Sequence, residues 1–245
     1  MISTIESKQQ QLINGFYQTG TGSEQILLLG SCRTLPYLSY LKRWNDTNGD
    51  RFTIRRIDAC DWTVSGVDIA TLENDERILS AFKTCQIFIH EHLESYGMLN
   101  TVSYIGSKSV YDFGMKPQMD IAIPNWHDVF LFEGDYQSCG IPVPDNYIEK
   151  GEAELEKFYR VCELSSFPEM ASYFRDNWRK IRFFWRPNHV AATFTMYIFR
   201  RMNSWFLNLK LTDEFLETIR HEDLFKTPCT EVTQRDIDGY GLEWR

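Results

Sequence analysis

The chain has no close pair among its cysteines. Cys32, Cys60, Cys85, Cys139, Cys162 and Cys229 are scattered along it, a spacing that suits neither a zinc site nor a compact disulfide framework, so reduced thiols and no bound metal are expected. No apolar run reaches the roughly 20 residues needed to cross a bilayer. Met1 to Gln11 carries no basic segment followed by an apolar stretch, so the expected location is cytoplasmic, without a membrane span. Basic residues are in short supply, 26 against 34 acidic ones, giving a formal charge of -8. That surplus repels a phosphate backbone, which argues against nucleic acid as a partner. It does not exclude one phosphorylated small molecule, because two or three cations and some backbone N–H groups can hold it. Internal repeats and low-complexity segments are also lacking.

Apolar material is plentiful. Hydrophobic residues make up 43% of the 245 and aromatics 15%, enough for a large core in a chain read as one α/β domain over residues 1–245. Gln25 to Gly30 is a short apolar run ending in glycine, as in a strand buried on both faces. Leu35, Leu38 and Leu41 with Tyr37, Tyr40 and Trp44 then recur at helical spacing, with Pro36 in the opening turn. Phe52 to Asp58 reads as a second strand, Asp75 to Thr84 as a helix, and Cys85 to His90 as a third strand. This alternation predicts a three-layer, doubly wound, mostly parallel sheet. Asp120 to Ile123 reads as another strand, broken by Pro124, while Gly134 to Asn146 reads as an irregular connection. Residues 149–221 read as mainly helical, with helices over 149–164, 167–178, 191–207 and 213–221 and a strand at Arg182 to Trp185. The apolar tail from Tyr240 is expected to dock on the domain or on another subunit, so an oligomer is compatible with the sequence.

In open α/β sheets ligands gather beyond the carboxyl ends of the strands, where turns expose helix N-termini. Four polar clusters follow strand-like runs: Ser31-Cys32-Arg33, His90-Glu91-His92, Asn125-Trp126-His127-Asp128 and Arg186-Pro187-Asn188-His189. Gly30 permits a sharp turn whose following N–H groups could stabilise an oxyanion or hold a phosphate. Cys32 or Ser31 is the candidate nucleophile, with the Cys32 thiol expected to be acidified by a helix N-terminus and by Arg33. His189, read as the head of a long helix, is the candidate base, with Asp128 or Glu91 to orient it. His90, His127, Asn125, Arg186 and Asn188 complete the candidate ligand-binding set with Gly30 and Arg33. Trp126, Trp185 and Trp205 are read as core.

The strand-ending Gly30-Ser31-Cys32-Arg33, the His90-Glu91 and Pro124-Asn125 strand ends, and Asn188-His189 together resemble the WcbI-type polysaccharide-biosynthesis family. Acetyltransferase activity is ascribed to that family, and its fold is similar to the SGNH-hydrolase variant of the flavodoxin-like sheet. The resemblance spans roughly residues 25 to 205. It implies coenzyme A or acetyl-coenzyme A as the thioester ligand, and acyl transfer to a saccharide acceptor in surface-polysaccharide synthesis. It also implies that Cys32 takes the nucleophile-like position and His189 that of the motif histidine. The chain departs from the pattern at Ser31, Arg33 and Val190. Two further classes compete with an enzyme: a noncatalytic module binding coenzyme A or another phosphometabolite, and an interaction factor that docks through its aromatic helical half.

Overall fold

The computed structural model describes residues 15–58, 74–91, 104–105, 108–124, 128–221, 223–224, 226 and 229–244. The chain divides into two compact units, Met1–Ile123 and Pro124–Arg245.

The first unit is built on a five-stranded mixed sheet. Its strands are β1 (Phe16–Thr19), β2 (Glu24–Gly30), β3 (Phe52–Asp58), β4 (Ile87–Glu91) and β7 (Met119–Ile123), in spatial order β1-β3-β2-β4-β7. A small hairpin, β5 (Tyr104–Ile105) with β6 (Lys108–Ser109), lies outside this sheet. β3, β2, β4 and β7 run parallel, and β1 closes one edge antiparallel to β3. Helix α1 (Leu35–Asn48) follows β2 through a short 3-10 turn at Cys32–Thr34, and α2 (Glu76–Thr84) precedes β4. The expected mostly parallel α/β sheet is therefore present.

Alternation along the strands sorts side chains between the two faces. Leu27, Leu29, Ile57 and Phe88 pack with Ile78, Ala81 and Phe82 of α2. On the opposite face, Trp44 of α1 meets the Phe52 ring at 5.8 Å, and the Asn45 amide donates to the Phe52 carbonyl at 2.8 Å. One helix thus covers each face: α1 leaves the rim where β2 ends, and α2 leads into the start of β4. Strand β1 was not anticipated. Its four residues have too little apolar alternation to read as a strand, and they become one by pairing Phe16 with Ile57 and Thr19 with Ile54.

The second unit is mainly helical: α3 (Glu133–Ser138), α4 (Tyr147–Leu164), α5 (Glu169–Asn177), α6 (Ala192–Met202), α7 (Asp213–His221) and α8 (Gln234–Tyr240). Its core is aromatic. Phe174 stacks on Phe194 at 4.7 Å, and Phe158 contacts both of them and Phe184. Two expectations are corrected. Residues 133–138 form a helix rather than an irregular connection, because buried Asp135 accepts from the N–H groups of Leu131 and Phe132 at 2.9 Å each and so holds the first turn. Trp205 is 59% exposed and is not core.

The apolar tail docks within this unit. Tyr240 is buried and donates its hydroxyl to the Leu131 carbonyl at 2.7 Å, and Trp244 donates to the Trp178 carbonyl. Gly151 of α4 makes room for this, since a Cβ there would lie 2.0 Å from the Tyr240 hydroxyl. Glycine-to-alanine exchange inside a helix ordinarily stabilises by about 1 kcal/mol. Gly151→Ala is expected to do the reverse, lowering stability by about 1–3 kcal/mol through overpacking, and to regain the ordinary sign when combined with Tyr240→Ala. Denaturant unfolding of the three variants checks this; a stabilising Gly151→Ala with Tyr240 intact would contradict the docking.

Candidate functional site

The rim of the first sheet is organised by a carboxylate. Gly30 ends β2 with a φ of 155°, a conformation side-chain-bearing residues rarely adopt. A Cβ at this position would lie 2.8–2.9 Å from Oε1, Cδ and Cγ of Glu91. The missing side chain is therefore the space that the Glu91 carboxyl occupies. Gly30 and Glu91 belong to the face that carries α1, because β2 and β4 pair with Leu29 opposite His90.

Glu91 Oε1 accepts twice from the next residue, from the Ser31 N–H at 2.6 Å and from the Ser31 hydroxyl at 2.5 Å. Arg33 Nη1 donates to Ser31 Oγ at 2.9 Å and lies 3.8 Å from Glu91 Oε2. Beneath them Arg56, only 3% exposed, donates to the Ser31 carbonyl at 3.0 Å, to Thr34 Oγ1 at 2.9 Å and to Asp58 at 2.7 Å. Thr34 in turn donates its hydroxyl to the Ser31 carbonyl. The result is a buried hydrogen-bonded cluster of two arginines, two carboxylates and two hydroxyls that fixes one turn from both sides.

Burial sets the direction of the shifts at Glu91 and at the neighbouring Cys32. It raises the Glu91 carboxyl above its ordinary value, and this outweighs the opposing pull of Arg33, the Ser31 hydrogen bonds and Arg56. Burial also raises the Cys32 thiol, with Glu91 and Asp58 adding to the rise while Arg33 and the Ser31 contact work against it. The expected acidified thiolate at Cys32 is thus corrected: desolvation wins over the neighbouring guanidinium. Sequence reasoning missed Arg56, Asp58 and Thr34. The signal available for the first two was an arginine and an aspartate two apart in Phe52–Asp58, hence on one face, at the carboxyl end of an otherwise apolar strand.

His90 points the other way from Glu91, as neighbours on a strand must. Its ring stacks on Phe88 at 4.7 Å, with Nε2 3.1 Å from Asp120 Oδ1 and Nδ1 3.0 Å from the Glu91 carbonyl. Tyr111 donates its hydroxyl to the other oxygen of Asp120. His90 therefore belongs to a separate polar group on the α2 face and does not join Ser31 and Glu91. Burial by itself would raise the Asp120 carboxyl, but the hydrogen bonds from His90 and Tyr111 hold it below its usual value.

The remaining candidates fall in the second unit. The expected strand shrinks to β8 (Phe184–Arg186), which pairs antiparallel with β9 (His189–Val190). His189 thus sits in a hairpin and not at a helix head. The helix starts at Ala192, whose N–H is taken by Asp223 Oδ2 at 2.7 Å, an acceptor that also receives the Trp185 indole N–H at 2.6 Å. Arg186 turns onto the imidazole, with Nε 2.8 Å from Nδ1 and Nη2 3.2 Å from Nε2, and Asn188 Oδ1 touches Nδ1. Asp128 is exposed on a cleft of this unit. Asn125, His127, Trp126, His92 and Cys60 lie outside the described residues. Among the described residues no group of three or more His, Cys, Asp or Glu is placed to hold a metal ion, and no helix is long and apolar enough to cross a membrane.

The first unit is therefore defined as a mostly parallel α/β sheet with a buried Ser–Glu–Arg cluster at its strand-end rim. No family model, curated protein or solved structure matches the chain.

Two substitutions test these groups. Gly30→Ala is expected to cost about 1–3 kcal/mol through strain and overpacking against Glu91, read by denaturant unfolding; an unchanged midpoint would place the carboxyl elsewhere. For Asp120, the folded state holds the carboxyl more acidic than the unfolded state, so its stabilisation is present above the ordinary value of 3.8 and is lost as pH falls through the folded value. The melting-temperature advantage of the wild type over Asp120→Asn should accordingly be full at neutral pH and shrink below pH 3.8. An advantage that grows on acidification would contradict the pairing with His90 and Tyr111.

Proposed function

We propose that the Gly30–Arg33 turn is the centre of an acyl-transfer site that takes a coenzyme A thioester as donor and a hydroxyl, such as that of a saccharide, as acceptor. The observation that carries this reading is the 2.5 Å hydrogen bond from the Ser31 hydroxyl to buried Glu91. A serine needs a base within such reach to become nucleophilic, and a carboxylate that burial raises above its ordinary value is a stronger base than an ordinary one. Ser31 is preferred to Cys32 because burial of the thiol keeps the thiolate scarce.

In the proposed sequence Ser31 Oγ attacks the thioester carbonyl carbon while its proton passes to Glu91. The C–S bond then breaks, and coenzyme A leaves as the thiol with that proton. The acceptor hydroxyl attacks the acyl-serine ester, gives its proton to Glu91, and Ser31 recovers it as the ester bond breaks. Arg33, 2.9 Å from Ser31 Oγ, supplies positive charge beside the developing anions. The base assigned to His189 on sequence grounds is replaced by Glu91 in this scheme. An SGNH-like sheet and a role in cytoplasmic surface-polysaccharide synthesis complete the reading and rest on the family resemblance.

A second reading, a noncatalytic module for coenzyme A or another phosphometabolite, is favoured by one observation: Ser31 is only 7% exposed and its hydroxyl already engages Glu91 and Arg33. Acetyl-coenzyme A hydrolysis, monitored with calorimetric binding of coenzyme A, separates the two. Ser31→Ala and Glu91→Gln, each confirmed as folded by thermal melting, are expected to lose at least about 100-fold in turnover. Cys32→Ala should keep it, and mass spectrometry of the trapped intermediate should find one acetyl group on the peptide containing Ser31. Binding without turnover would favour the module, and loss of turnover in Cys32→Ala alone would overturn the assignment to Ser31.

A further inference from the structure

The second unit contains a cleft of about 440 Å³ that the rim chemistry of the first unit does not use. That volume lies within the range of small-molecule sites. One wall is apolar: Phe130 and Tyr136 pack at 5.1 Å, and Ile141 stands beside them, 44% exposed. Ile141 is held there by a tight turn, with Gly140 at a φ of 68° and the Ile141 N–H bonded to the Tyr136 carbonyl at 2.9 Å.

The other wall is one face of α4, where Lys150, Ala153, Glu154 and Lys157 follow at spacings of three, one and three. Ala153 is the small residue between two lysines and leaves the depth of the cleft open. The charges are not equivalent. Lys157 is neutralised by Glu154 at 2.5 Å, whereas among the described residues the side chains of Lys150 and Asp128 form no ion pair. A cation and an anion thus remain available on an otherwise apolar and self-neutralised lining. Such a lining selects neither a bare cation nor a bare anion.

We infer that this cleft is a binding site for a small zwitterion with an apolar body, the chemistry of a free apolar α-amino acid. The body packs on Phe130, Tyr136 and Ile141, the carboxylate meets Lys150 and the ammonium meets Asp128. The site is independent of the acyl-transfer reading, since every lining residue belongs to the second unit and none has a part in that scheme.

The test titrates the full-length protein with L-tryptophan, tryptamine and indole-3-propionate, followed by calorimetry and by amide chemical shifts. These probes share one ring system and carry both charges, the positive one alone and the negative one alone. L-Tryptophan should bind one-to-one in the millimolar range or tighter, with each singly charged probe at least about tenfold weaker. Ala153→Trp, an exposed helical substitution that fills the cleft, should abolish binding while leaving the melting temperature unchanged. Lys150→Glu should remove the preference for tryptophan over tryptamine. No saturable binding of L-tryptophan, equal binding of all three probes, or retention of binding in Ala153→Trp would each overturn the inference.

Discussion

Glu91 occupies the space that a side chain on the neighbouring strand would need. Its carboxyl sits where a Cβ of Gly30 would be and accepts both donors of Ser31, so two parallel strands are tied at the rim by one buried group. Desolvating a carboxylate is costly, and that cost is met only when its oxygens are hydrogen-bonded and opposite charge lies close. Arg33 and Arg56 provide the charge, Asp58 balances the second arginine, and Thr34 completes the set of donors around the Ser31 carbonyl. The turn geometry, the buried hydroxyl and any chemistry at Ser31 all depend on that one carboxylate.

The same constraint explains why the thiol and the hydroxyl at neighbouring positions differ. Ser31 faces inward onto Glu91 and shares its hydrogen bonds. Cys32 is half-buried, and loss of water there raises its pKa more than Arg33 lowers it. Proximity to an arginine is not sufficient to make a thiolate when the same turn removes solvent. What the guanidinium contributes goes mainly to Ser31 and Glu91, with which it is in direct contact.

Much of the first unit was readable from periodicity. Apolar runs over Gln25–Gly30 and Phe52–Asp58 and the helical spacing of Leu35, Leu38 and Leu41 are signals that survive without tertiary context, and they set the strand-helix-strand order. The rim was readable in part: Gly30, Ser31, Arg33 and Glu91 do meet. His90 was misplaced because strand alternation sends adjacent residues to opposite faces, and Arg56 was overlooked because a charge inside a strand ordinarily reads as solvent-facing. The hairpin at 184–190 looked like a helix head because its second strand is only two residues long and is specified by pairing with Phe184–Arg186 rather than by any local pattern. Helix α3 escaped for a related reason, since its six residues owe their first turn to Asp135 and not to amphipathic spacing.

The most direct measurement is a carbon-13 titration of the Glu91 side-chain carboxyl in the intact protein. Buried against Ser31 with limited access to water, this group should titrate above the ordinary glutamate value of 4.5, and the Ser31 amide proton should shift with the same midpoint because it donates to that carboxylate. A Glu91 carboxyl that titrates at or below 4.5, with no concerted response at Ser31, would contradict the arrangement on which the fold of the rim and its proposed chemistry both rest.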